Sequence, residues 1–157
     1  MIELELVGVR VELPHNQPIV LLKERAGDRF LPIWIGAVEA TSIAFALQGV
    51  ATARPMTHDL MRDLLTSLEV SVERIVVTEL RERTFYAEIQ MTQDGDAVVV
   101  SSRPSDAIAL AVRATVPIYA DEAVLEEAGI EIEDDDEQEV EQFKEFLDSV
   151  TPEDFKE

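Results

Sequence analysis

Two short segments hold most of the residues in this chain whose types and spacing suit them to chemistry. The first is Arg54-Pro55-Met56-Thr57-His58-Asp59 and the second is Arg103-Pro104-Ser105-Asp106. Each sets an Arg-Pro pair ahead of a stretch with helical periodicity, followed by a hydroxyl and an acid. An arginine beside a helix start makes an anion site, because its guanidinium and the free amides of the first turn converge on one oxyanion. His58 and Asp59 supply a base and a carboxylate, or part of a hard-metal site completed by Glu39 or Asp106. Neighbouring helical residues diverge by about 100°, so a shared centre needs a fold that brings both segments together. Capping offers a plainer account. Pro suits the first helical turn, Thr57, Ser102 or Ser105 caps free amides, and an early Asp complements the helix dipole. Capping leaves the paired arginines and His58 unexplained, and an arginine paired simply with an acid such as Glu39 stays open. His15, in a Pro-His-Asn-Gln-Pro turn, reads as a surface loop residue, and 2 histidines exclude a His-rich metal site.

The chain that must position these residues has the length of one ordinary domain, 157 residues, and is 46% hydrophobic, enough for a real core. Its formal net charge is −20, from 13 basic and 33 acidic side chains. Residues 121–157 hold 17 acidic and 2 basic side chains, a net −15, which leaves −5 on the preceding 120. Such a charge opposes bulk binding to nucleic acid or to an anionic membrane. The absence of cysteine excludes disulfides, thiolate metal sites and cysteine nucleophiles, and fits a reducing compartment. No charged-then-apolar leader opens the chain, and no apolar run approaches the roughly 20 residues that cross a bilayer. A cytoplasmic location without membrane contact is expected. Walker-type phosphate loops, GxGxxG, GxSxG and HExxH are absent, as are a Lys/Arg-lined recognition helix and an aromatic-studded basic strand.

Periodicity predicts strands at 2–13, 18–25 and 29–35, then a helix at 37–48 rich in small and apolar residues and largely buried. Alternation in the first strand changes phase around Gly8, which signals a bulge, and Pro32 places the third strand at an edge or a bulge. A helix at 57–68 carries the stripe Leu60, Met61, Leu64, Leu65 and Leu68. Strands at about 70–80, 84–92 and 97–101 follow, with Asp94-Gly95 as a hairpin turn. A deeply buried helix at 104–114, a short strand at 117–120 and a helical turn at 121–128 complete the body. An offset of 65 sets Ile43-Ala44-Phe45-Ala46-Leu47 on Ile108-Ala109-Leu110-Ala111-Val112. The reading is a single α+β domain, residues 1–128, built from two pseudo-repeated units of three strands and a helix. An acidic linker at 129–138 and a short amphipathic helix with a tail at 139–157 follow. Val140, Phe143, Phe146, Leu147 and Val150 form the apolar side of that last helix, which docks on its own body, a second subunit or a protein partner.

At LPIWIG (31–36), Glu39-Ala40, RPMTHDL (54–60), TFYAE (84–88), RPSDAIALAVR (103–113) and PIY (117–119) the chain resembles the bifunctional nuclease domain family. The ending FKEFLDSVTPEDF (143–155) resembles its actinobacterial members. Ser101 stands where many relatives have Asp. The resemblance implies an α+β fold that forms a homodimer or higher homo-oligomer, and a nuclease cutting DNA, RNA or both. Carried over onto this chain, it implies that Arg54 and Arg103, with Thr57 and Ser105, hold the scissile phosphate. His58 or Glu39 then activates water, and Asp59 or Asp106 binds a divalent ion, Mg²⁺ or Mn²⁺. The alternative is a non-catalytic oligomeric module that binds a small anion or a protein partner.

Overall fold

The computed structural model describes residues 1–11 and 17–131. Residues 14–16 of the expected turn at 14–17, with His15, the acidic linker beyond 131 and the short helix with its tail at 139–157 lie outside the described residues. Strands β1 (Ile2–Val11), β2 (Pro18–Glu24) and β3 (Arg29–Trp34) form an antiparallel meander that leads into helix α1 (Ala37–Gln48). Helix α2 (Thr57–Ser67) connects to a second antiparallel meander, β4 (Ser71–Arg81), β5 (Thr84–Gln93) and β6 (Asp96–Ser102), followed by helix α3 (Pro104–Ala114). Strand β7 (Ile118–Ala120), helix α4 (Glu122–Ala128) and strand β8 (Ile130–Glu131) close the order. Among the described residues all the strands join one sheet in the order β6-β5-β4-β7-β1-β2-β3-β8. β7 bridges the meanders, parallel to β4 and antiparallel to β1. The architecture is α+β, as the periodicity predicts.

Local sequence explains several features of this sheet. Register slips between Leu6 and Gly8, where the alternation of β1 changes phase. Ile35 donates its N–H to the Pro18 carbonyl, so alternate amides at 33 and 31 face β2, and the position of Pro32 faces outward. β8 covers that outer edge only at Arg29 and Phe30, so the missing donor of Pro32 breaks no ladder. In β5 the alternation is strict: Phe85, Ala87, Ile89 and Met91 are buried and meet the helices. Burying this face, with Ile75, Val77, Leu22, Leu31 and Ile33 from the other strands, makes one hydrophobic cluster. Arg29 ties the far edge together by reaching both Glu24 of β2 and Glu122 of α4.

The helices differ from expectation in burial. α3 is the deep one, with Ala107, Ile108, Ala109, Leu110 and Ala111 all inaccessible. α1 is not largely buried: Ala40, Ser42 and Ile43 are, while Val38 and Leu47 face out. Its composition is apolar all round, so which face is covered is decided by where α3 lies, not by the helix itself. The stripe of α2 also divides. Met61 and Leu65 pack on the core, while Leu60, Leu64 and Leu68 stay exposed. Met56 continues that exposed ridge at four-residue spacing. β8, absent from the sequence reading, is too short to leave a periodic signal.

Candidate functional site

α1, α2 and α3 meet around His58, the one buried residue of α2, with 5% of its surface exposed. Its Nδ1 lies 2.6 Å from Ser42 Oγ on α1, and its Nε2 lies 2.8 Å from Asp106 Oδ1 in the first turn of α3. That second bond joins the two Arg-Pro segments directly. The other oxygen of Asp106 accepts from Arg103 Nε at 2.9 Å, and Arg103 Nη2 donates to Glu39 Oε1 at 2.8 Å. A continuous chain therefore runs from a buried hydroxyl, Ser42, through His58, Asp106 and Arg103 to Glu39 at the surface.

Partner chemistry orients the ring. A carboxylate only accepts, so Nε2 carries a proton toward Asp106, while the Ser42 hydroxyl, able to donate or accept, pairs with Nδ1. The residue types are those of a hydrolytic triad, but the order is inverted: the hydroxyl lies inside the protein and the carboxylate outside. Ser42 is 6% exposed and cannot present a nucleophile to a substrate. The arrangement instead holds a carboxylate and an arginine in place at the surface.

The charges in this chain support one another. The carboxyl of Glu39 is held below its usual range by its own backbone amide and then by Arg103. Burial pushes Asp106 up, but hydrogen bonds from Arg103 and His58 outweigh it, so its carboxyl also stays below the ordinary range. Both are ionised at neutral pH, on either side of a half-exposed guanidinium.

Asp59 belongs to a second network. Arg113 Nε donates to its Oδ1 at 2.7 Å, and the Met56 amide donates to its Oδ2 at 3.0 Å, closing the first turn of α2. Arg113 and then that amide lower the Asp59 pKa. Arg113 also donates to the carbonyls of Ala109 and Ser42, so the two networks share Ser42. Sequence reasoning passed over Ser42 and Arg113. Their signals were slight: a polar residue within an apolar turn of α1, and the one basic residue of α3.

The remaining expected site residues are placed less centrally. Arg54 and Thr57 are exposed, and Arg54 offers its carbonyl to the Thr52 hydroxyl in the turn before α2. Ser105 is fully buried and out of reach of a substrate. The N-cap positions belong to Met56 and Arg103, not to hydroxyl residues. The metal expectation meets a poor fit. Asp59 and Asp106 sit in different networks, each with both oxygens engaged by donors. Among the described residues no three His, Asp or Glu side chains gather to hold an ion. A cleft of about 470 Å³ opens beside the Asp59–Arg113 pair, between the end of α1, the following loop, α2 and the end of α3.

One eight-stranded sheet with three helices gathered on a histidine–carboxylate–arginine network defines a small α+β domain with a polar centre. Residues 20–133 match the family model described as the bifunctional nuclease domain, and the chain belongs to that family. It is 51% identical to an uncharacterized protein of Mycobacterium tuberculosis, over 98% of each chain. It is 30% identical to bifunctional nuclease 2 of Arabidopsis thaliana over 77% of this chain and 37% of that protein. Bifunctional nuclease 1 of Oryza sativa subsp. japonica is 24% identical over 79% of this chain and 38% of its own length. The chain thus spans little more than a third of these plant proteins. No helix among the described residues is long and apolar enough to cross a membrane.

Proposed function

We propose that this chain is a nuclease that hydrolyses phosphodiester bonds of DNA or RNA at the exposed end of the Glu39–Arg103–Asp106–His58 chain. The observation that carries this reading is the 2.8 Å bond from His58 to Asp106, which joins one residue of each Arg-Pro segment. The plant relatives named bifunctional nucleases support it at the level of the family. Glu39, ionised and at the surface, is the base that takes the proton of the attacking water. Arg103 and Arg54 neutralise charge on the phosphate. His58 has both ring nitrogens engaged and acts as a positioning residue that fixes Asp106 and, through it, Arg103. No step is routed through a metal, because the carboxylates assigned to one are held by cations and amides.

The test incubates purified protein with single- and double-stranded DNA and RNA, with and without Mg²⁺ or Mn²⁺. Glu39→Gln and Arg103→Gln are expected to lower cleavage about a hundredfold or more, in the range of a lost general base. Cleavage that persists unchanged in both variants sinks the reading.

A specific feature favours a second reading, a non-catalytic oligomeric module. Met56, Leu60, Leu64 and Leu68 expose an apolar ridge at i, i+4 spacing, and such a ridge suits packing against a second copy across a twofold axis. Light scattering on the wild type and Leu64→Glu tests self-association, and a monomeric wild type excludes it. Salt separates the two readings, since nucleic-acid binding weakens steeply as salt rises and apolar contact does not.

A further inference from the structure

The cleft beside the Asp59–Arg113 pair lies at the C-terminal ends of α1 and α3, away from Glu39 and Arg103, and its composition is one that their chemistry does not use. Its walls carry Asp59 and Asp63 against Arg62 and Arg113, so the lining bears no net charge. A phosphate or a cation gains nothing from such a balance, whereas a neutral ligand with polar edges does. The half-buried ring of Phe45, with Pro55 and Val112, supplies apolar surface for a flat ligand. The volume of about 470 Å³ lies within the range of small-molecule sites. Thr52 and Pro55 line the rim, which puts Arg54, the exposed phosphate-holding residue of the proposed function, directly between two lining residues.

We propose that this cleft is a nucleobase subsite, with guanine its preferred base, seating a base of the strand held by Arg54. The inference rests on the nuclease reading for its place in the reaction. Arg113 and Asp59 hold each other at 2.7 Å, so recognition of the base edge falls to the adjacent Arg62 and Asp63. Those two are about half exposed, at 42% and 46%, and their mutual contact of 3.2 Å is easily exchanged for a ligand. Guanine sets N1–H and N2–H₂ side by side, two donors for one carboxylate, with O6 as the acceptor for a guanidinium. Adenine and cytosine offer a ring acceptor where guanine has N1–H, which a carboxylate repels. Uracil has one donor between two acceptors. Phe45 stacks on whichever base enters and adds affinity without discrimination.

The experiment titrates the full-length protein with guanosine, adenosine, cytidine and uridine 5′-monophosphates and with ribose 5-phosphate, by calorimetry. Guanosine monophosphate is expected to bind about tenfold or more tightly than the other nucleotides and than ribose 5-phosphate. Asp63→Asn removes that preference, and Phe45→Ala weakens all four nucleotides about equally, with thermal melts checking that each variant is folded. Saturation-transfer NMR on the wild type needs no variant: it is expected to reach guanine H8. Equal binding of ribose 5-phosphate and guanosine monophosphate, or no transfer to any base proton, overturns the subsite. Polynucleotide cleavage without base binding refutes the subsite and leaves the nuclease intact. Guanosine monophosphate bound with the expected preference, in a protein that cleaves nothing, upholds the subsite and refutes the nuclease.

Discussion

Arg113→Met is expected to destabilise the fold by about 3 kcal/mol at pH 7, a large change for a residue outside the sequence motifs. Its side chain is 6% exposed and donates to the Asp59 carboxylate and to the carbonyls of Ala109 and Ser42. Breaking a buried ion pair costs about 3–5 kcal/mol when one charge is left without a partner. Asp59 is a quarter exposed and keeps the Met56 amide, so water recovers part of that cost and about 1.5–2 kcal/mol remains. The two carbonyls add about 0.5–1 kcal/mol each. Urea unfolding followed by the fluorescence of Trp34, the single and buried tryptophan, measures the difference. In a domain of this size the melting temperature falls by about 6–12 °C. The pH dependence has a defined sign. Asp59 has a lowered pKa in the native state, so its contribution is present above the ordinary carboxylate range and is lost as pH falls through the native value. The gap between wild type and variant therefore narrows below about pH 4. A difference under about 1 kcal/mol, or one that does not change with acid, refutes the assignment of Arg113 as the tie between α2 and α3.

Three further outcomes are expected. Gly36→Ala puts a methyl group where the Glu39 carboxylate lies, without backbone strain, since Gly36 has φ −75. The flexible glutamate swings away from Arg103, so cleavage falls about tenfold or more while urea stability changes by less than about 1 kcal/mol. Arg29→Met removes the link between Glu24 and Glu122 and lowers stability by about 2 kcal/mol in the same unfolding assay. Because hydrogen bonding to Arg29 lowers the Glu24 pKa, that difference too shrinks as pH falls into the carboxylate range. Truncation after Glu131 removes 12 acidic and 2 basic residues. It is expected to raise nucleic-acid affinity at low salt, as read by fluorescence anisotropy, with the gain fading at high salt.

Much of this protein was legible in its sequence because much of its structure is local. Alternation in β5, the phase change at Gly8, the turn at Asp94-Gly95 and the apolar run of α3 each follow from residues within a few positions of one another. The two Arg-Pro segments, and with them the family, were also visible as short strings, and Pro104 marks the start of α3 as its ring geometry requires.

What only the tertiary structure decided is which groups meet. His58 and Asp106 are 48 residues apart, Arg103 and Glu39 64, and Arg113 and the Ser42 carbonyl 71. No periodicity encodes such pairs, because they depend on how α1 and α2 each pack against α3. The same packing buries Met61 and Leu65 while exposing Leu60 and Leu64, and leaves an apolar α1 half outward. It also converts three residues of triad type into a support, since the hydroxyl of Ser42 ends inside the protein and the carboxylates of Asp106 and Glu39 end at its surface. Residue types and spacing determined the fold class and the chemistry within reach, and helix packing decided which of those groups can touch a substrate.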